Sequence, residues 1–284
     1  MPVSTLAQSP RRALADTKVL AIRGERHLEL PDTVAAEEPL EVRLAAAADP
    51  ARDVAVVMRT PGHDFELAVG FLLAEGFLTD PRAIRAVRYC DDVSADDQRY
   101  NVVTVTSAEA ASRTPTRETA VSASCGVCGT TSIDQLERHV APLGDGPFVD
   151  ASVLVGLPDR LRRSQRVFDR TGGLHAAGLF RPDGDTVAVR EDIGRHNAVD
   201  KLVGHAALSG RLPLDDTVLT VSGRVSFEIV QKAALAGVAV VVAVSAPSSL
   251  AVASARRLGL TLAAFTRGDR ANLYSHPQRI RLGR

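Results

Sequence analysis

Along the first part of the chain the apolar positions gather into extended segments around Leu20, Leu28 and Leu40 to Leu44, and DVAVVM (53–58) reads as a buried strand. In RTPGHDFELAVGFLLAEG the period becomes helical. Phe65, Val69, Leu72 and Leu73 share one face, Asp64 and Glu66 stand in the first turn, and Gly76 is the stop. YNVVTVTS (100–107) predicts another strand. Before all of this, residues 1–17 mix Ser, Pro, Ala and Arg without periodicity and predict a frayed leader. After it, SAEAASRTPTRETAVSAS is small and polar and predicts a long loop or hinge.

From Ile133 the pattern becomes regular. A helix is expected near Ile133 and another at Pro158, with the proline at a first helical position. AAGLF (176–180), a PDGD turn and TVAVR (186–190) predict a hairpin. Then helix 196–208, strand 217–222, helix 226–236, strand 238–245, helix 248–258 and strand 260–266 alternate. Such alternation predicts an α/β fold, a mainly parallel sheet with helices on both faces. The expected organisation is a leader (1–17), a smaller N-terminal α+β part (18–115), a mobile loop (116–132) and an α/β domain (133–284).

In such sheets a ligand lies beyond the carboxyl ends of the strands. The segments that follow the strands here are EDIGRHN (191–197), SGRVS (222–226), SAPSS (245–249) and TRGDR (266–270). Ser222, Gly223 and Ser248 lead into helices, whose free N–H groups and dipole suit a phosphate. Arg224, Arg267 and Arg270 add planar donors that grip phosphate oxygens in pairs. Each loop alone is better explained by turn and capping chemistry; the four together favour an anionic, nucleotide-like ligand. Lys201 and Lys232 follow candidate ligand loops and either reach phosphates or face solvent, while His175 and His196 divide between acid/base and structural roles. Glu66 and Glu75 are expected to serve helix ends or domain contacts.

Composition narrows the partners. The 34 acidic and 34 basic residues cancel, which argues against nucleic acid or a membrane surface, and the 45% apolar share of 284 residues supports a sizeable core. The longest apolar stretch, Ala233 to Val244, is too short to span a bilayer, so a cytoplasmic protein is expected. Three cysteines are too few for a disulfide framework, and Cys90 stands alone as a structural residue.

The other two, Cys125 and Cys128, form a CxxC in SASCGVCGTTSID. A structural zinc needs four ligands; no second CxxC exists, and His139 has no companion at fingerlike spacing. The His-x-Glu at His27 to Glu29 lies far upstream, and Ser124 stands where a zinc deaminase has Pro, so no metal site is expected. A thioredoxin-like pair would open the first helix of its fold, and buried thiols would not keep such small polar neighbours. An exposed nucleophile fits better: Ser132 and Gln135 make a capping box just after the pair, which favours thiolate, and glycines let the loop swing. Spacing alone leaves zinc, redox exchange and sulfur storage open.

Several segments together resemble the formate dehydrogenase accessory sulfurtransferase family (FdhD). They are TPGHDFELAVGFLLAEG, SCGVCG, TGGLHAAGLF, REDIGRHNAVDKLVG, SGRVSFEIVQKA, SAPSSLAV and FTRGDRANLY, in family order. The resemblance implies a cytidine-deaminase-like fold, a homodimer, and transfer of persulfide sulfur from a cysteine desulfurase to the molybdenum of the bis-molybdopterin guanine dinucleotide cofactor, which activates formate dehydrogenase. It implies Cys125 as the persulfide carrier with Cys128 assisting. Phe265, Thr266, Arg267, Gly268, Asp269 and Arg270 fall where the family binds the guanine dinucleotide. The alternatives are a non-catalytic cofactor chaperone and a zinc hydrolase of deaminase type.

Overall fold

The structure is a computed structural model that describes residues 11–46, 50–90, 99–109, 120–121 and 141–283. Cys125, Cys128, the capping box and the helix expected near Ile133 lie outside the described residues. The chain opens with a ribbon of β1 (Leu14–Arg23) and β2 (Arg26–Ala35), paired antiparallel. Leu14 to Thr17, expected in the leader, already pair in this ribbon, opposite Ala35 to Asp32. Strand β3 (Glu38–Ala46) and β4 (Arg52–Arg59) follow, then α1 (Asp64–Ala74), β5 (Ile84–Tyr89), β6 (Val102–Ser107) and the two-residue β7 (Ala120–Val121). These strands form a five-stranded sheet in the order β5-β6-β3-β4-β7. Pairing of β7 with β4 falls within the segment expected as a mobile loop.

Strand β8 (Val149–Asp150) leads into α2 (Ala151–Arg163) and α3 (Arg166–Thr171). Pro158 is a correction: it sits buried inside α2 rather than at its first position. The helix tolerates the missing N–H because Leu154, Leu157 and Leu161 bury its apolar face, each contributing about 2 kcal/mol. Then come β9 (His175–Phe180), β10 (Thr186–Asp192), α4 (Arg195–Leu208), β11 (Val218–Val221), α5 (Phe227–Leu235), β12 (Val240–Ala243), α6 (Ser249–Arg257), β13 (Thr261–Arg267), β14 (Arg270–Ser275) and β15 (Ile280–Arg281).

The larger sheet runs β10-β9-β11-β12-β13-β14. Helices α4, α5 and α6 pack on one face and α2 on the other, as their shared core residues show. The sheet is mixed, which corrects the expectation of a mainly parallel one. Only the β11–β12 and β12–β13 pairings are parallel; β9–β10, β9–β11 and β13–β14 are antiparallel. Tight turns impose this, since a connection as short as Pro182–Asp185 or Gly268–Asp269 returns a strand only antiparallel to the one before it. Gly268, at φ 63, supplies the left-handed residue that such a two-residue hairpin requires.

Helix α1 joins the two sheets. One face fills the core of the five-stranded sheet with Leu67, Ala68, Phe71 and Leu72. The other meets α4 so closely that a Cβ on Gly70 would lie 1.8 Å from the Asp200 carbonyl oxygen, and one on Gly204 1.8 Å from that of Glu66.

Candidate functional site

The register brings the candidate loops to one end of the larger sheet. Asp192 pairs with His175, Ala177 with Val221, Val221 with Ala243, and β12 runs parallel to β13. The residues after β10, β11, β12 and β13 therefore share a rim with the start of β9. Backbone bonds lace it together: Val225 N–H donates to the Ala246 oxygen (3.1 Å), Ser248 N–H to that of Val225 (2.9 Å), and Phe265 N–H to that of Ser245 (3.2 Å).

Ser222 is engaged at the rim base. Its N–H donates to the Ala176 carbonyl, and its hydroxyl accepts from the Ala176 N–H, both at 2.9 Å. Gly223 lies against the His175 ring, where a Cβ would stand 3.2 Å from Nδ1. Arg224 is exposed, and the Ser248 hydroxyl caps α6 by accepting from the Ala251 N–H at 3.1 Å. Phe265 is 47% exposed and adopts φ 52, an uncommon conformation for an aromatic residue. Thr266 is fully buried, so its side chain points away from the open rim, whereas Arg267, Gly268, Asp269 and Arg270 form the exposed hairpin tip. The rim thus gathers all the described residues expected at the cofactor, with Ser222 and Ser248 already hydrogen-bonded.

A polar cluster occupies the β10–β11 side. His196 Nε2 lies 3.1 Å from the Ser226 hydroxyl and 3.8 Å from a Glu228 carboxylate oxygen. Burial, the charges of Lys232 and Arg195, and His175 push its pKa down to about 4 against the pull of Glu228, so the imidazole is neutral at pH 7. His175 is lowered by burial, Arg195 and Arg224, against Asp192. Burial raises the Glu228 carboxyl, but hydrogen bonds from the Ser226 hydroxyl and from its own backbone N–H, with the charges of His196 and Arg195, outweigh it and leave the pKa lowered.

Sequence reasoning missed the ionic network beneath this rim. Lys201, expected at phosphate or in solvent, is buried: its Nζ lies 2.7 Å from Asp192 and donates to the Thr60 (3.0 Å) and Glu191 (3.2 Å) carbonyls. Lys232 is likewise buried, 2.7 Å from Asp200 and 3.5 Å from Glu75, and these carboxylates keep its ammonium charged despite burial. Both lysine expectations are therefore corrected, because a buried ammonium persists only when paired. Asp192 also accepts from the Thr60 N–H (3.2 Å), the Gly194 N–H (2.8 Å) and Asn197 (2.9 Å). Arg59 and Asp64 form a buried bidentate pair at 3.1 and 3.0 Å. The strongest sequence signatures, RTPGHD and REDIGRHNAVDK, therefore pin the two sheets together. The network's members come from β4, α1, β10, α4 and α5, so no single local period brings them together.

Fold and rim together define an α/β protein whose larger sheet carries a polar, arginine-bearing edge. The chain belongs to the FdhD/NarQ family, whose model matches residues 35–281. It is 50% identical over 273 residues to a sulfur carrier protein FdhD of Streptomyces coelicolor, covering 93% of this chain and 95% of that protein. It is 47% identical over 277 residues to the protein of that name from Mycobacterium tuberculosis, covering 94% and 99%. A crystal structure described as a formate dehydrogenase accessory protein from Desulfotalea psychrophila is similar with a TM-score of 0.74 at 26% identity, covering 95% of this chain and all of that one.

Proposed function

We propose that this chain is a sulfur carrier that receives persulfide sulfur from a cysteine desulfurase on Cys125, assisted by Cys128. It delivers that sulfur to the molybdenum of a bis-molybdopterin guanine dinucleotide cofactor destined for formate dehydrogenase. The observation that carries this reading is the CGVC motif in a chain about half identical to proteins named sulfur carriers. In the loading step the Cys125 thiolate attacks the outer sulfur of the desulfurase persulfide. A new S–S bond forms on Cys125 as the old one breaks, and the desulfurase cysteine leaves as thiolate, with no net redox change. The S-x-x-Q spacing of Ser132 and Gln135 in the sequence is the pattern that precedes a helix, and a helix N-terminus next to the pair would favour the thiolate form.

The rim supports the cofactor half of the reading. Exposed Arg267 and Arg270 offer bidentate donors to phosphate, and exposed Phe265 offers a flat face to a base. Arg267→Ala or Arg270→Ala is expected to weaken GDP binding about tenfold by calorimetry; unchanged affinity in both would remove the hairpin tip from the site.

The chain is also proposed to act as a homodimer in the cytoplasm; no helix among the described residues is long and apolar enough to cross a membrane. Support for the dimer comes from the β1–β2 ribbon, whose register puts Ala15, Val19, Ala21, Leu28, Leu30 and Val34 on one face. Val19, Leu28 and Val34 are exposed there, although a two-stranded ribbon is marginal without cover. A second copy turned end for end sets the Val19/Leu30 row against the Ala21/Leu28 row. It also brings Arg23 and Arg26 opposite Asp32 of the other copy.

A further inference from the structure

Residues 246–284 hold seven arginines and a single acidic residue, Asp269, in a chain whose 34 basic and 34 acidic residues cancel overall. Residues 1–245 therefore carry the compensating negative charge, and the positive charge is a local field rather than a property of the whole surface. Arg256, Arg257, Arg267, Arg270 and Arg281 are exposed. Arg267 and Arg270 belong to the rim hairpin, but Arg256 and Arg257 close the far end of α6, about 12 Å along the helix axis from Ser249 and the rim. Arg256 is held there: its Nε donates to the Tyr274 carbonyl at 3.2 Å, and the His276 Nε2 donates to the Arg256 carbonyl at 2.8 Å. Strand β14, which supplies Tyr274, is the last strand of the larger sheet, and no described strand pairs with its outer edge. Leu250 on α6 is 46% exposed and Leu273 on β14 is 37% exposed, with Ser249, Ala253 and Asn272 exposed around them.

We propose that α6 and β14 together form a docking surface for an acidic segment of a partner protein, one that sets aliphatic side chains among its carboxylates. Guanidinium forks suit carboxylates, and exposed cations on a net-neutral molecule steer an acidic segment to this flank. The aliphatic side chains of the segment cover Leu250 and Leu273. Tyr274, the one aromatic residue on α6 or β14, is half-buried, so the flank offers no open ring on which a base could stack. The negative charge of residues 1–245 repels a long nucleic acid or an anionic bilayer, whereas a protein segment engages the flank alone. The surface is separate from the cofactor rim and requires neither Cys125 nor Cys128.

Fluorescence anisotropy of the full-length protein with a short labelled peptide of glutamate and leucine tests it. Arg257→Glu should weaken binding about tenfold and Leu250→Ala about threefold, both exposed positions whose substitution leaves circular dichroism unchanged. Arg163→Glu, at an exposed site ending α2, should bind as the wild type does. Excess GDP should leave the peptide bound, and amide exchange should slow within Ser249–Arg257 and Arg270–Ser275. No binding by the wild type, wild-type affinity in Arg257→Glu or Leu250→Ala, an equal loss in Arg163→Glu, displacement by GDP, exchange unaltered in both segments, or tighter binding of single-stranded RNA or phosphatidylserine vesicles would overturn the proposal. Sulfur loading on Cys125 plays no part in this readout, so failure of the sulfur-carrier reading leaves the result intact.

Discussion

Glu66 shows how one residue holds two sheets together. Arg190 bonds it through Nε at 2.5 Å and Nη2 at 2.6 Å, and the Nδ1 atoms of His205 and His63 lie 3.1 Å away. Burial pushes the carboxyl up, but these partners outweigh it and hold the pKa well below the usual carboxylate range. A carboxylate with a depressed folded pKa contributes stability that is present above its unfolded pKa, near 4.5, and lost as pH falls. Glu66→Gln is therefore expected to cost roughly 1–3 kcal/mol at pH 7, and the difference from wild type should shrink in urea unfolding between pH 5 and pH 3. A difference independent of pH would remove Glu66 from that role. The sequence left Glu66 between a helix-end and a domain-contact role, and its partners, on β10 and α4, lie too far along the chain to be read from local pattern.

Among the elements, the α1–α4 crossing depends on what two residues lack. With Gly70 and Gly204 facing opposing carbonyls, Gly70→Ala and Gly204→Ala should each lose about 3 kcal/mol in thermal unfolding, because backbone must move to admit the methyl. Gly156, inside α2 with open space around it, is the control: Gly156→Ala should gain about 0.5–1 kcal/mol. Equal effects at all three positions would mean that the crossing is looser than described. Both helices were legible from their apolar spacing. Their glycines were not, since a helical glycine reads locally only as lost propensity, and its purpose appears only when another backbone lies against it. Pro158 misled in the same way: local preference placed it at a helix start, and packing of Leu154, Leu157 and Leu161 overrode that preference.

For the whole molecule, the strand-and-helix alternation after residue 174 and the convergence of four loops on one rim followed from pattern and topology rules. Strand direction at the sheet flanks did not, because an alternating pattern gives strand positions without their sense; only the short turns at Pro182–Asp185 and Gly268–Asp269 carried that signal. The ribbon makes a prediction at this scale. Sedimentation should give the wild type twice the chain mass and the Leu28→Glu protein a single chain mass with unchanged circular dichroism; a wild-type monomer, or a variant that dimerises equally well, would remove the ribbon from the interface. The central claim is sulfur carriage by the CGVC motif, which mass spectrometry tests most directly after incubation with a cysteine desulfurase and L-cysteine. Wild type should gain one sulfur mapped to Cys125 or Cys128, and Cys125→Ala should lose most of it. A wild-type protein with no added sulfur on either cysteine would contradict the account.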